Sequence, residues 1–288
     1  MNIYKNGLGS FKDPSGFVFI QDGLLFRQIN NMYKDNYEQL VASGLYEKLV
    51  NSNLLINHEE VDINLKLNDN AYKIIKPEII HFISYPYEWC FSQLKDAALL
   101  TLQVQKIAIE YGMSLKDSSA YNIQFKQNKP VFIDTLSFEK YNNGAPWVAY
   151  KQFCQHFLAP LSLAAYKDFR LNKLLQFYLD GIPLDLANDL LPFKSFFNYH
   201  LLIHIHLHAK AQKKYSSATI SGGFNKFGKL QLFGLIDSLE VAINKLKWMP
   251  EDTNWANYYK DNSYSADSFE HKKTIVSVLC QDLSELKM

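Results

Sequence analysis

The stretch from Gly112 to Asp134 constrains this chain more than any other. A long helical pattern over residues 90–111, with Phe91, Leu94, Ala98, Leu102 and Ile109 on its apolar side, stops at Gly112. Glycine most readily takes the left-handed conformation that ends a helix. Next comes a polar loop, Leu115-Lys116-Asp117-Ser118-Ser119-Ala120-Tyr121-Asn122, then the apolar run Ile123-Gln124-Phe125. A polar turn over 126–129 leads into Pro130-Val131-Phe132-Ile133 and ends at Asp134. Two short β-type runs around a tight polar turn predict a hairpin. Its open end sets Asn122 beside Asp134, with Asp117 five positions before Asn122. Three oxygen-bearing side chains then surround one point, a set suited to a hard cation such as Mg²⁺ and the phosphates it accompanies.

The chain before this stretch reads as β. Phe17-Val18-Phe19-Ile20 and Leu24 to Ile29 are strands about the turn Gln21-Asp22-Gly23, because Asp-Gly between β-rich runs signals a hairpin. Residues 33–50 carry helical spacing in Tyr37, Leu40, Val41, Leu45 and Leu49. Leu54 to Ile63 and Tyr72 to Ile83 return to strand patterns around Asn68-Asp69-Asn70. After Pro86 the chain turns helical, over 146–166, 168–180, 193–214 and 230–247 as well as 90–111. Pro146-Trp147 opens the first of the later helices, and Gly222-Gly223 and Gly228 precede the last. The predicted class is α+β and bilobal, with a small β-rich N-lobe (1–85), a larger helical C-lobe (86–229) and a C-terminal helical extension (230–288). A linker near 84–89 leaves a cleft between lobes, where ligands commonly bind.

With 288 residues, 48% of them hydrophobic, the chain can bury a real core as one large domain or two small lobes. The 15% aromatic content reads as packing. A net charge of +1 and a pI near 7.7 argue against a partner held by counterion release, and the basic cluster Lys210, Lys213 and Lys214 is too small to change that. Three scattered cysteines, Cys90, Cys154 and Cys280, without a CxxC, fit a reducing compartment. The first residues lack an apolar signal core, and no run approaches the ~20 apolar residues a membrane helix needs. The expectation is a cytoplasmic protein with no membrane partner and no strong nucleic-acid signal.

The order D-x-x-x-x-N, hairpin, D in residues 117–134 resembles the catalytic loop and metal site of protein kinases and aminoglycoside phosphotransferases. That resemblance implies a kinase-like fold that binds ATP and Mg²⁺, with Asp117 as catalytic base, Asn122 as metal ligand and Asp134 as the principal metal ligand. It further implies Arg27 in the place of an ATP-binding lysine, with Glu38 or Glu47 as its ion-pair partner. Ser84 and Tyr85 of the linker, with Ile83, would offer backbone to the adenine. The acceptor would be a small molecule or a modified biopolymer. The sequence departs from the kinase pattern in four places. Leu115 stands where kinases carry His, Thr135-Leu136 replaces Phe-Gly, Arg27 replaces Lys, and the loop from Gly7 to Gly16 is not spaced GxGxxG.

Two further stretches compete for a role. On a helix, His200, His204 and His208 share a face, while on a strand His204, His206 and His208 would; either spacing can present imidazoles to a metal, and the plainer reading is a half-buried helix with local hydrogen bonds. His58-Glu59-Glu60 reads as a solvated strand end.

A second resemblance covers about residues 10–280. It rests on Asp13-Pro14-Ser15-Gly16-Phe17-Val18-Phe19, on the segment from Phe82 to Trp89, on Ser92 to Leu102 and on Pro146 to Phe157. These resemble the N-terminal region of bacterial S-adenosylmethionine-dependent methyltransferases, some related to a host-specificity nodulation protein. In that family a Rossmann-like methyltransferase domain follows, and the segment from Thr253 to Leu283 looks like its lead-in. S-adenosylmethionine would then bind only in a C-terminal domain that this chain lacks, supplied covalently or by a partner. The alternative function is thus a non-catalytic substrate-binding or accessory domain of a methyltransferase.

Overall fold

The computed structural model describes residues 5–6, 13–210, 228–249 and 263–285. The loop expected from Gly7 and the pair Gly222-Gly223 fall wholly or largely outside the described residues, as do Lys213, Lys214 and the start of the lead-in at Thr253. The chain divides into two compact units, Met1–Trp248 and Met249–Met288.

The first unit opens with a five-stranded sheet in the order β1-β2-β3-β5-β4, all neighbours antiparallel. Its strands are β1 (Lys5–Asn6), β2 (Gly16–Gln21), β3 (Leu24–Asn30), β4 (His58–Val61) and β5 (Ala71–Pro77). The expected β2–β3 hairpin is present, and both turn residues take positive φ (Asp22 +51°, Gly23 +78°), the requirement of a tight twist-matched turn. Gly16 is tied to its place, since a Cβ there would lie 2.1 Å from the Gln28 carbonyl oxygen and 2.7 Å from Leu136 Cδ1.

The helix expected over 33–50 is broken. It runs as α1 (Lys34–Ala42) and α2 (Leu45–Asn51), divided at Gly44, whose φ of +80° caps the first and starts the second. The strand expected over Leu54 to Ile63 shrinks to β4. Leu54, Leu55 and Ile56 are buried; the Ile56 N–H donates to the Phe132 carbonyl, and the Leu54 carbonyl accepts from the Phe132 N–H. The strand from Tyr72 ends at Pro77, well before Ile83.

The remainder of the unit is mostly helical. α3 (Phe91–Glu110) ends where Gly112 (φ +76°) predicts, and its buried face seeds the main core. Two short pairings follow, β6 (Met113–Leu115) with β9 (Phe138–Lys140), and β7 (Ile123–Lys126) with β8 (Lys129–Phe132). The expected hairpin is therefore β7–β8, with Gln127 and Asn128 at positive φ in its turn. The next helix starts at Tyr150, not at Pro146: α4 (Tyr150–Phe153) widens to π-type over Cys154–Leu158 and returns to α5 (Ala159–Tyr166). Residues Phe169–Gln176 form a 3₁₀ helix, followed by α6 (Leu184–Leu190), α7 (Tyr199–Leu201) and a second π-type stretch over Leu202–Leu207.

α8 (Lys229–Lys245) buries Leu232, Ile236, Leu239, Ala242 and Ile243 in the same core and fixes Lys106 of α3 between Asp237 and Glu240. It therefore belongs to the main unit, and the break in packing falls after Trp248 rather than near residue 230. The second unit carries α9 (Ala266–Glu285). The α+β class read from the sequence, strands first and helices after, is what the chain adopts. No helix among the described residues is long and apolar enough to cross a membrane.

Candidate functional site

Asp134 follows β8 and caps the 3₁₀ turn Thr135–Ser137. Its Oδ1 accepts from the Leu136 N–H at 3.0 Å, and its Oδ2 accepts from the Ser137 hydroxyl at 2.5 Å. Arg27, reaching from β3, sets Nη1 on the same Oδ1, and each side chain of this pair is only 14% exposed. Burial by itself pushes the Asp134 carboxyl up. The Arg27 guanidinium and the hydrogen bonds from Ser137 and Leu136 outweigh it and hold the carboxyl below its usual range. Asp134 is therefore an anion in the fold.

Asn122 joins this cluster through one hydroxyl. Its Nδ2 donates to Ser137 Oγ at 3.1 Å, and the Ser137 hydroxyl in turn donates to Asp134 Oδ2. The hairpin brings the two together as expected, since the Ile133 N–H donates to the Asn122 carbonyl at 2.8 Å.

Asp117 sits on a loop that is irregular but fastened at many points. Its Oδ1 accepts from the Ser119 N–H at 2.9 Å, a turn that aspartate favours. Trp147 Nε1 donates to the Leu115 carbonyl (2.9 Å), and the Ser118 hydroxyl donates to the Ala149 carbonyl (2.8 Å). The Ser118 N–H donates to Gln152 Oε1 (2.8 Å), and the Leu115 N–H donates to Gln105 Oε1 from α3 (2.7 Å). The helices on both sides thus hold the loop in one conformation.

Asp117 and Asp134 open onto one pocket of about 250 Å³, lined also by Asp13, Lys116, Leu136 and Gln152. Lys116 spans it, with Nζ 2.7 Å from Ser15 Oγ and 4.8 Å from the centre of the Tyr33 ring. Asp13 turns back on itself to accept from the Ser15 N–H (2.8 Å) and lies 4.0 Å from Arg27. Two cations and three carboxylates therefore line or border a small hollow. A larger hollow of about 630 Å³ lies along Leu54–Asn57 and Pro130–Val131, but it is lined by none of these charged groups and holds no candidate residue. The sequence-predicted carboxylates Asp117 and Asp134 line the smaller one.

Several sequence-predicted partners fall elsewhere. Glu38 does not meet Arg27. Its carboxylate accepts from Tyr72 Oη at 2.8 Å and faces Lys34 at 3.8 Å, and Glu47 is exposed on α2. The carboxylates of Arg27 are Asp134 and Asp13, and no local spacing foretells the first because Arg27 and Asp134 lie 107 positions apart. At the linker, the Ser84 N–H donates to Gln124 Oε1 and the Ser84 carbonyl accepts from Gln124 Nε2, both at 3.0 Å, while Trp89 Nε1 donates to Ser84 Oγ at 2.9 Å. The Tyr85 N–H donates to Glu88 at 2.8 Å, and the Tyr85 ring stacks on Tyr87.

Sequence reasoning passed over Asp13, Lys116, Gln124, Ser137 and Gln152. The one advance signal was Gln124, a polar residue in an otherwise apolar β run that must find buried partners.

The histidine-rich stretch follows its plainer reading. His200 Nδ1 and His204 Nε2 share the Ser238 hydroxyl at 3.1 and 2.9 Å, and Tyr150 Oη lies 2.8 Å from His204 Nδ1. His206 points to Ser195 and Asn188 and stacks on Phe196. Among the described residues, no group of three or more His, Cys, Asp or Glu side chains gathers to hold a metal. A single Mg²⁺ nevertheless suits the oxygen-only set of Asp134 and Asn122, because Mg²⁺ takes one or two protein oxygens and completes its shell with water and phosphate.

No protein-family model matches the chain. It is 31% identical over 282 residues to the nodulation protein NoeA of Rhizobium meliloti (strain 1021), an alignment covering 93% of this chain and 58% of NoeA. The chain thus spans well under two thirds of that relative's length. Among solved structures, it is similar to one described as vaccinia related kinase 3, at 11% identity and a TM-score of 0.40, covering 86% of this chain and 89% of that one.

Proposed function

We propose that this chain carries a kinase-type phosphate site and transfers a phosphoryl group to a hydroxyl acceptor, a small molecule or a modified biopolymer. The observation that carries this reading is the shared pocket of Asp117 and Asp134, bordered by Lys116 and Arg27. Phosphoryl transfer asks a protein mainly to position groups and offset charge. Asp134 would hold Mg²⁺ with Asn122 beside it, and bound Mg²⁺ would neutralise phosphate oxygens. Arg27, released from Asp134 as the metal takes its place, would turn its guanidinium to the phosphate, for which its planar fork is suited. Lys116 would supply a second positive charge at the pocket. Asp117, its other oxygen held by the Ser119 N–H, would orient the acceptor hydroxyl and take its proton.

Calorimetry with Mg²⁺ and a triphosphate donor tests this. Binding that needs Mg²⁺, is lost in Asp134→Asn and persists in Asp117→Asn without turnover is the expected result. No binding to any phosphate donor would remove the reading.

The Arg27–Asp134 pair also favours a second reading. A carboxylate already neutralised by arginine needs no metal, which suits a non-catalytic module that presents substrate to a methyltransferase part using S-adenosylmethionine. In that case Asp117→Asn leaves methyl transfer by that part unchanged.

A further inference from the structure

We infer that the phosphate donor is recognised through its phosphates and not through a base, and that Gln124 is the residue that excludes the base. The inference rests on the phosphotransfer reading above and deepens it. If a purine were read at the linker, it would need a backbone N–H and carbonyl to pair with its edge. At Ser84 both are taken by a single carboxamide, the Gln124 Oε1 accepting and its Nε2 donating, at 3.0 Å each. A carboxamide offers the same adjacent donor and acceptor that a purine edge offers, so it fills the role from within. Gln124 is 4% exposed, and the Ser84 hydroxyl is fixed in turn by Trp89 Nε1. The neighbouring Tyr85 N–H is used by Glu88.

The hollow itself tells the same story. Its volume of about 250 Å³ is below the ~300–1,000 Å³ usual for sites that enclose a drug-sized ligand. All its lining residues belong to the charged end, Asp13, Lys116, Asp117, Asp134, Leu136 and Gln152, and none comes from the linker. The site is built for a chain of phosphates with Mg²⁺, as in inorganic tripolyphosphate or the phosphate tail of any nucleotide, its base left in solvent.

The test is a binding panel on the full chain: ATP, GTP, UTP and inorganic tripolyphosphate, each with Mg²⁺. The four are expected to agree within about threefold in Kd. Gln124→Ala, which frees the Ser84 backbone pair, is expected to tighten ATP by about tenfold relative to tripolyphosphate. Wild-type ATP binding tenfold or more tighter than tripolyphosphate would overturn the inference while leaving the phosphotransfer reading standing. An unchanged ATP-to-tripolyphosphate ratio in Gln124→Ala would overturn the role of Gln124. Failure of all four to bind would overturn both the inference and the reading beneath it. Should Gln124→Ala not fold, the wild-type panel alone decides.

Discussion

Two buried polar clusters stabilise this chain by opposite means. Around Asp134 the partners are a guanidinium, a hydroxyl and a backbone N–H, and the central group is charged. Around His204 they are a tyrosine and a serine, and the central ring is neutral because burial lowers its pKa to about 4. The first cluster borders a pocket; the second is closed within helices α4, α7 and α8 and the π-type stretch between them. Charge kept in a fold is costly unless it is paired, and it is useful only where something can exchange with the pair. Neutral rings are cheaper and serve packing.

The sharpest way to break the comparison is to remove one half of the charged pair. Arg27→Met leaves Asp134 buried without its cation and is expected to cost about 3–5 kcal/mol in urea unfolding. Adding Asp134→Leu to Arg27→Met should recover most of that loss, since two apolar groups replace two charges. An additive double mutant would show that the ion pair is not the unit.

Acid separates the clusters next. His58, His156 and His204 are each held near pKa 4, chiefly by burial, and so stay neutral in the fold. The unfolded chain protonates them below about pH 6.5. Their contribution is therefore complete above pH 6.5 and drains as pH falls towards 4, by at most about 1.4 kcal/mol per pH unit for each group. The Asp134 carboxyl is lowered instead, so its contribution persists through that window. It is lost only below the ordinary aspartate range, as the folded carboxyl takes a proton. Unfolding free energy measured from pH 8 to 3 should show the histidine leg first, and His156→Phe should shrink that leg alone.

Smaller still is Tyr150→Phe, which strips the hydroxyl 2.8 Å from His204 Nδ1 and is expected to cost about 1–2 kcal/mol by thermal unfolding. Smallest is Glu78→Gln at the exposed pair with Lys126, expected to stay within about 0.5 kcal/mol of the parent.

What could be read in advance follows the range of the forces involved. Asp22-Gly23, Gly112 and the β7–β8 hairpin were legible because a turn or helix end is decided within a few residues. The hairpin in turn placed Asn122 and Asp134 together. The break at Gly44 was hidden because the apolar spacing of Leu40, Leu45 and Leu49 continues across it, and all three are buried. Leu54 to Ile56 looked like a full strand because burial makes them apolar, whereas their backbone partner is Phe132, far along the chain. The exchange of Glu38 for Asp134 as partner of Arg27 has the same origin. The kinase resemblance implied Glu38 or Glu47, and the packing of Leu136 against Ile29, Tyr33, Tyr37 and Ile75 delivered another carboxylate.

The fastening of the Asp117 loop has a consequence in time. A segment without regular structure normally exchanges its amide protons by fast local opening. Here the Ser118 N–H ends on the Gln152 side chain of α4 and the Leu115 N–H on the buried Gln105 side chain of α3, so each amide is tied to a helix. Their deuterium uptake should keep pace with the helices and lag far behind the exposed turn at Gln127 and Asn128. The loop that carries Asp117 is irregular in shape yet keeps the slow clock of the core.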